Sequence, residues 1–383
     1  MPVAINTYIL KTTSFCNINC SYCYMFGLKD TTFRGKTKVM PLEVMERAAA
    51  QMAALARQQG VKKVLVGYHG GEPMLAGPDW FRQSVGLLRK YGGDDVSFLF
   101  SMQTNALLID DEWLDLFEQY RFGVGVSLDG PRHVNDRARL NFAGRSTYDA
   151  TVAGLQKLRS RRLLGGILCV MDPRDNGLEV YEHFLSLGAN HIDFLWPLDH
   201  NWDAPPASLQ HPDATPYADY LIPIFDAWWG SGNGKVAIRY FENIVQGLMG
   251  AQLRLDALGG NPISTVIIDS DGGLEPLDVL RSGDDGLTNV GLNLATNQII
   301  ELYGKELFQK AIAGRDGLCS KCRDCPLMTV CGGGYLPHRY SHERGFDNPS
   351  VYCRDLWKLI SHIANVLAEE LRKSAPTAES AVA

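Results

Sequence analysis

Through its first two hundred residues the chain alternates short apolar runs with longer amphipathic ones. The apolar runs are Ile5–Thr12, Val64–Tyr68, Val96–Met102, Phe122–Leu128, Leu164–Val170 and His191–Trp196. Each is rich in apolar and β-branched residues and has the length of a buried strand. Between them apolar positions recur at helical spacing. The clearest case is Pro41–Gln59, where Leu42, Met45, Ala49, Met52 and Leu55 share one face. Pro41 suits a first helical position and Gly60 a C-terminal stop. Six β–α units in series predict a parallel sheet with right-handed crossovers, open or partly closed as a barrel.

Beyond residue 198 the pattern loosens. Asp199–Pro216 carries Pro205, Pro206, Pro212 and Pro216 without periodicity, which predicts a long loop near the mouth of the site. From about Gly230 to Gly291 the elements are short and mixed, with a hairpin-like stretch at Val266–Leu274. A cysteine-rich segment follows from Cys319 to Cys353, then an apolar helix near Leu356–Leu371. The small, polar residues Ser374–Ala383 read as a disordered tail. Trp228 and Trp229 read as packing, and Cys169 as a small buried hydrophobe inside a strand.

Composition narrows the class. Of 383 residues, 45% are apolar and 21% charged, ordinary for a globular protein with a full core. A net charge of −6 argues against a general nucleic-acid binder. The first twenty residues hold one lysine and no long apolar run, so neither a signal peptide nor a membrane span is expected. The nine cysteines are odd in number, and all but Cys169 lie near the two ends. Metal ligation in a reducing cytoplasm fits that distribution better than disulfides.

Candidate chemistry starts directly after the first strand, at the carboxyl end of the expected sheet, where sites of this fold class gather. Cys16, Cys20 and Cys23 stand in a C-x3-C-x2-C loop, with Tyr22 before the third cysteine. Three thiolates can hold three irons of a [4Fe–4S] cube and leave one iron open. A structural zinc site is usually closed by four ligands and built from C-x2-C pairs. The second strand ends in His69-Gly70-Gly71-Glu72-Pro73, the third in Gln103-Thr104-Asn105 and the fourth in Ser127-Leu128-Asp129. Arg139 follows Ser127 by twelve residues. Taken singly, these are a tight turn, a helix cap and a surface charge.

Together they resemble the radical SAM enzymes, in which the open iron chelates S-adenosylmethionine and reductive cleavage gives a 5′-deoxyadenosyl radical. The resemblance implies Cys16, Cys20 and Cys23 as cluster ligands. It implies Tyr22, Gly70, Gly71, Glu72, Asn105, Ser127 and Arg139 as the SAM contacts, the serine and arginine holding the methionyl carboxylate. The fold it implies is a partial (β/α)6 barrel over residues 1–230.

The end of the chain resembles a SPASM domain. That likeness makes Cys322, Cys325, Cys331 and Cys353 the ligands of an auxiliary [4Fe–4S] cluster, with Cys319 a spare thiol. Leu277 and Tyr335 stand where the family carries ligands of a further, inner cluster, so two clusters are expected. Asp278 keeps the position of the general base of sulfatase maturases, where a dry cavity would raise its pKa enough to accept a proton; the residue also reads as a turn aspartate in a polar hairpin. The implied organisation is a catalytic domain at 1–230, a bridging region with the hairpin at 231–300, the auxiliary-cluster domain at 301–373 and the tail at 374–383.

The run from Cys331 to Cys353 resembles the cyclophane-forming peptide maturases. That likeness implies joining an aromatic ring to the β-carbon of a nearby residue in a ribosomal precursor peptide. Formylglycine formation, as in sulfatase maturases, is a second reading, and a non-catalytic iron–sulfur peptide scaffold a third. An electron donor such as flavodoxin or ferredoxin is implied, with no nucleic acid or membrane partner. The first strand begins almost at residue 1, so a leader peptide is expected to dock on the enzyme body, for instance by strand addition at a sheet edge, or through another protein.

Overall fold

All six apolar runs become strands within about three residues of where the pattern falls. They are β1 (Thr7–Thr13), β2 (Lys63–Gly70), β3 (Ser97–Thr104), β4 (Gly123–Ser127), β5 (Leu164–Val170) and β6 (His191–Leu195). In the computed structural model, which describes residues 3–231, 236–253 and 255–374, three short strands extend this set. They are β7 (Ala237–Ile238), β8 (Thr265–Ile268) and β9 (Leu274–Glu275). One nine-stranded sheet results, in the spatial order β9-β8-β1-β2-β3-β4-β5-β6-β7. Every neighbouring pair is parallel except β8 with β9. The predicted α/β class and parallel sheet therefore hold. The predicted hairpin forms and lays its first strand along β1, with Tyr8 opposite Val266.

Helices α1 (Leu42–Gln59), α2 (Pro78–Gly92), α3 (Asp111–Tyr120), α4 (Tyr148–Ser160) and α5 (Gly177–Ser186) follow the first five strands. Pro41 sits one residue outside α1 as its cap, with extended backbone (φ −61°, ψ 146°). Gly60 ends the helix at φ 70° and returns its N–H to the carbonyls of Ala56 and Arg57, the left-handed stop that glycine favours. The predicted loop at 199–216 is irregular apart from one short turn of helix at Ala207–Gln210, and Pro216 opens α6 (Pro216–Gly230). After α7 (Arg239–Leu248) and the hairpin, the C-terminal region is built of turns and short helices, among them Glu306–Ile312, until α8 (Cys353–Ser374). Of the tail expected to be disordered, Ser374 is the last residue of α8, and 375–383 lie outside the described residues.

One contiguous apolar core joins sheet, α6 and α8. Trp228 is buried and donates to the carbonyl of Val236 at 2.8 Å, and Cys169 is buried in β5, both as expected. Asp355, in the first turn of α8, accepts the N–H groups of Tyr217 (2.8 Å) and Ala218 (3.1 Å) at the start of α6. A carboxylate at a helix N-terminus satisfies orphan donors and opposes the dipole.

His338 is the other tie. Its ring is buried, stands edge-on to Tyr352 with centroids 4.8 Å apart, and places Nε2 3.0 Å from the carbonyl of Pro197, just past β6. Burial holds its pKa down, to about 3. The native state therefore binds fewer protons than the unfolded chain between about pH 3 and 6.5, so this residue's contribution is complete above 6.5 and is lost as pH falls. His338→Gln keeps a donor for Pro197 and removes the titration. We expect its urea midpoint to fall less than the wild type's between pH 6.5 and 5; equal slopes would show that His338 does not carry the acid sensitivity.

Candidate active site

The loop after β1 is fixed by backbone contacts on two sides. Thr13 and Phe15 offer their carbonyls to the N–H groups of Gly71 (3.0 Å) and Glu72 (3.1 Å). A Cβ on Gly71 would lie 1.9 Å from the Phe15 oxygen, so only glycine fits this approach. On the other side Asn19–Cys20 pairs antiparallel with Arg139–Leu140, Cys20 facing Arg139. Cys16, Cys20 and Cys23 thereby line a cavity of about 590 Å3. Residues at the carboxyl ends of the first six strands also line it: Ser14, Gly70, Thr104, Ser127, Val170 and Leu195. Burial pushes the Cys16 thiol up to about 12 and that of Cys20 to about 11, and raises Cys23 too. Metal ligation would offset this by replacing the protons.

The predicted SAM contacts converge on the same cavity. Glu72 is buried, and its carboxylate accepts from Met74 N (3.1 Å), Thr104 Oγ1 (2.8 Å) and Asn105 N (2.8 Å). Burial outweighs these donors and lifts it to about 7. Asn105 Nδ2 donates to Asn17 Oδ1 at 2.7 Å, and Gln103 Nε2 to Ser127 Oγ at 2.8 Å. Arg139 Nη1 donates to the Tyr22 hydroxyl (2.9 Å), which in turn donates to Asp129 Oδ2 (2.6 Å). Arg139 Nε is buried without a partner among the described residues. A buried, unpaired guanidinium nitrogen is costly unless a ligand completes it. Three thiols beside an unfilled cationic donor form a set that fits an iron–sulfur cluster and the carboxylate of a bound amino acid.

Asp278 departs from expectation. It does not line the cavity. It lies beneath Tyr24, whose hydroxyl donates to it at 2.6 Å, and forms a short buried ion pair with Lys11 of β1. Burial alone would raise its pKa, as the sequence argument supposed. The Lys11 ammonium and the hydrogen bonds donated by Lys11 and Tyr24 outweigh burial and hold the carboxyl well below the usual range. His69 Nδ1 lies 3.0 Å from the same ammonium, and burial with Lys11 keeps its ring neutral, its pKa down to about 3. A carboxylate so held is a weak proton acceptor, in contrast to the raised pKa expected of it.

Cys322, Cys325, Cys331 and Cys353 share the wall of a second cavity, of about 210 Å3, with Met328, Leu356 and Trp357. Cys319 is absent from that wall and packs beside Cys322 and Leu318. Gly332, at φ 61°, passes so close to Gly260 that a Cβ would lie 1.8 Å from its nitrogen. Where the sequence lacks inner-cluster ligands, Leu277 is buried with Ile263, Leu280 and Leu336, and Tyr335 lines the main cavity, as Asp256 does. Lys11, Asp193, Arg239 and Asp256 escaped the sequence reading. They belong to no motif and meet only through the sheet.

Residues 10–187 match the Radical SAM superfamily. The chain is similar to the cysteine-type anaerobic sulfatase-maturating enzyme of Clostridium novyi (strain NT), 23% identical over 91% of this chain and 92% of the relative. It is also similar to the serine-type enzyme of Klebsiella aerogenes, 26% identical over 88% of this chain and 81% of the relative. The structure of native anSMEcpe with bound AdoMet and Cp18Cys peptide superimposes with a TM-score of 0.81 at 22% identity, covering 96% of this chain and 99% of that one. The matched segment holds Cys16, Cys20 and Cys23 together with the cavity-lining Glu72, Asn105, Ser127 and Arg139. The expected cyclophane chemistry is overturned, because the near-full-length relatives include sulfatase-maturating enzymes of both the serine and cysteine types. Among the described residues, no helix is long and apolar enough to cross a membrane.

The Lys11–Asp278 pair ties β1 to the segment after the hairpin, and breaking it from one side leaves a buried charge. Lys11→Met is expected to destabilise the fold by ~3–5 kcal/mol, with most of the loss recovered in the Lys11→Met/Asp278→Asn double variant. Urea unfolding of the anaerobic protein measures both; a double variant no more stable than Lys11→Met would refute the ion pair's role.

Proposed function

We propose that the protein oxidises a serine or cysteine side chain of a peptide substrate to an aldehyde, the formylglycine type of maturation. The observation that carries the reading is the likeness to sulfatase-maturating enzymes along most of the chain. The cavity supports it. Bound SAM would supply a 5′-deoxyadenosyl radical that removes a hydrogen atom from the substrate β-carbon. In this reading Cys16, Cys20 and Cys23 hold the SAM-binding cluster, and Cys322, Cys325, Cys331 and Cys353 hold the auxiliary one.

The chain's own residues bind and orient. Arg139 offers its unpaired Nε to the methionyl carboxylate, braced by Tyr22 and Asp129. Ser127, held by Gln103, is the second contact on that side. Gly70, Gly71, Glu72 and Asn105 form the wall that receives the amino end, with Glu72 locked by three donors. The peptide enters from the open side of the cavity, where Phe142 is 70% exposed. Reducing equivalents come from a small electron-transfer protein such as a flavodoxin or ferredoxin.

Anaerobic enzyme with SAM and dithionite, given sulfatase-derived peptides bearing serine or cysteine, is expected to release 5′-deoxyadenosine and a hydrazide-reactive peptide aldehyde. SAM cleavage without aldehyde from either peptide would reject this function. Iron and sulfide should approach about eight each per chain, for two four-iron clusters. Alanine at Cys16, Cys20 and Cys23 together should roughly halve both and abolish SAM cleavage. Iron near about twelve per chain would show a third cluster.

A further inference from the structure

Arg339 carries a positive charge into the interior beside the C-terminal cysteines, and neutral groups receive it. The residue is only 5% exposed. Its Nε donates to the carbonyl of Asn348 at 3.2 Å, and its Nη2 to the carbonyls of Phe346 (2.9 Å) and Gly317. Among the described residues it forms no ion pair, and Asp347 pairs with Arg344 instead, at 3.2 Å. By contrast Lys11 and Arg281, also buried, are each matched by carboxylates.

Sulfur lies beside this charge. Gly333 and Cys322 both line the second cavity. A Cβ on Gly333 would lie 3.7 Å from Cys322 Sγ and 3.8 Å from Cδ of Arg339. The arginine therefore stands behind the cavity wall, with bare backbone between its stem and the cysteine. At φ 81° Gly333 holds a conformation that glycine favours, and a Cβ there would also strike Leu318 Cδ2 at 2.6 Å. Burial pulls the proton affinity of the guanidinium down, and Cys322, Cys319 and Asp347 are the groups whose negative charge pulls it back up.

We infer that Arg339 is a fixed positive charge that raises the reduction potential of the cluster held by Cys322, Cys325, Cys331 and Cys353. The inference rests on the cluster assignment made above and is independent of which peptide is oxidised. The site fits an anionic metal group. Burial pushes the Cys322 and Cys331 thiols up to about 12, a cost that metal ligation removes by replacing the protons. A buried charge without an ionic partner is costly too, and an anion beside it offsets that cost. Four thiolates outweigh the charge of a four-iron core, so the whole is an anion and becomes a stronger one on taking an electron. A cation held near it stabilises the reduced form more than the oxidised one.

Burial and fixity make Arg339 effective. Its three carbonyl partners keep the guanidinium from swinging into solvent, so water and salt screen it little. Lys321 lines the same cavity but is exposed, where screening is strong. The peptide oxidation proposed above yields one electron once a hydrogen atom and a proton have left. A cluster of raised potential takes that electron more readily.

Redox titration of the anaerobic holoenzyme, followed by electron paramagnetic resonance, compares wild type with Arg339→Gln, Arg339→Lys and Lys321→Gln. The auxiliary signal is the one that added SAM leaves unshifted, because SAM binds the other cluster. Iron is measured first. Arg339→Gln is expected to keep its iron and to shift the reduced-to-oxidised ratio of the auxiliary cluster about tenfold toward oxidised, a midpoint ~59 mV lower for a one-electron couple. Arg339→Lys keeps the charge and should stay near the wild-type midpoint. Lys321→Gln should move it less than Arg339→Gln does. A wild-type midpoint in Arg339→Gln overturns the inference. So does a lysine variant that falls as far as the glutamine one, since lost packing rather than lost charge would then be the cause. If Arg339→Gln cannot hold the cluster, Arg339→Lys decides: a retained cluster at the wild-type midpoint supports the charge, and a lost cluster or lowered midpoint overturns it. Wild-type iron near about four per chain would take down the auxiliary-cluster assignment itself, whereas a full complement with an unmoved midpoint removes only the role of Arg339.

Discussion

Everything at the active cavity depends on the close approach of two backbones, the end of β2 and the start of the cysteine loop. Gly71 lies against the carbonyl of Phe15, and Thr13 and Phe15 accept the two amides that follow β2. This contact sets where the loop leaves the sheet, and so where three thiols can converge. It also fixes Glu72, which ties the ends of β2 and β3 together through Thr104 and Asn105. A side chain at position 71 would push the loop away from the sheet, and thiols, Glu72 and Asn105 would no longer share a wall.

Buried charge does the corresponding work on the other side of β1. Arg281 is fully buried and bridges Asp269 and Glu275, closing the hairpin that extends the sheet. Lys11 meets Asp278 in the same region. Such pairs cost desolvation and need good geometry to offset it, which fixes the register of β8 on β1 closely. The outcome is chemical as well as structural. An aspartate that the sequence marks as a base is held ionised behind Tyr24, while an unmarked one, Asp256, reaches the cavity.

The cyclophane expectation rested on a short run near the auxiliary-cluster cysteines, and the likeness along most of the chain runs elsewhere. That run carries structural duties sufficient to explain its residues. His338 ties to Pro197, Arg339 donates to the carbonyls of Phe346 and Asn348, and Asn348 returns a bond to the carbonyl of Arg339. Residues that hold a cluster domain together are shared by enzymes of different chemistry, so they report the scaffold more than the reaction.

The sequence by itself determined the strands, the order of β–α units and the cysteine loop, because each is written in local spacing. Apolar runs set strands, helical periodicity sets crossovers, and C-x3-C-x2-C places three ligands within eight residues. Gly71 and Arg139 were legible for the same reason, as members of short motifs at strand ends. Tertiary structure decided the proton affinity of Glu72 and Asp278. Lys11 lies 267 residues from Asp278 in the chain, and Tyr335 is as remote in sequence from Asp256 as it is close in space. Proton affinity depends on burial and on the charges a few ångströms away, and neither exists until the sheet has brought those segments together.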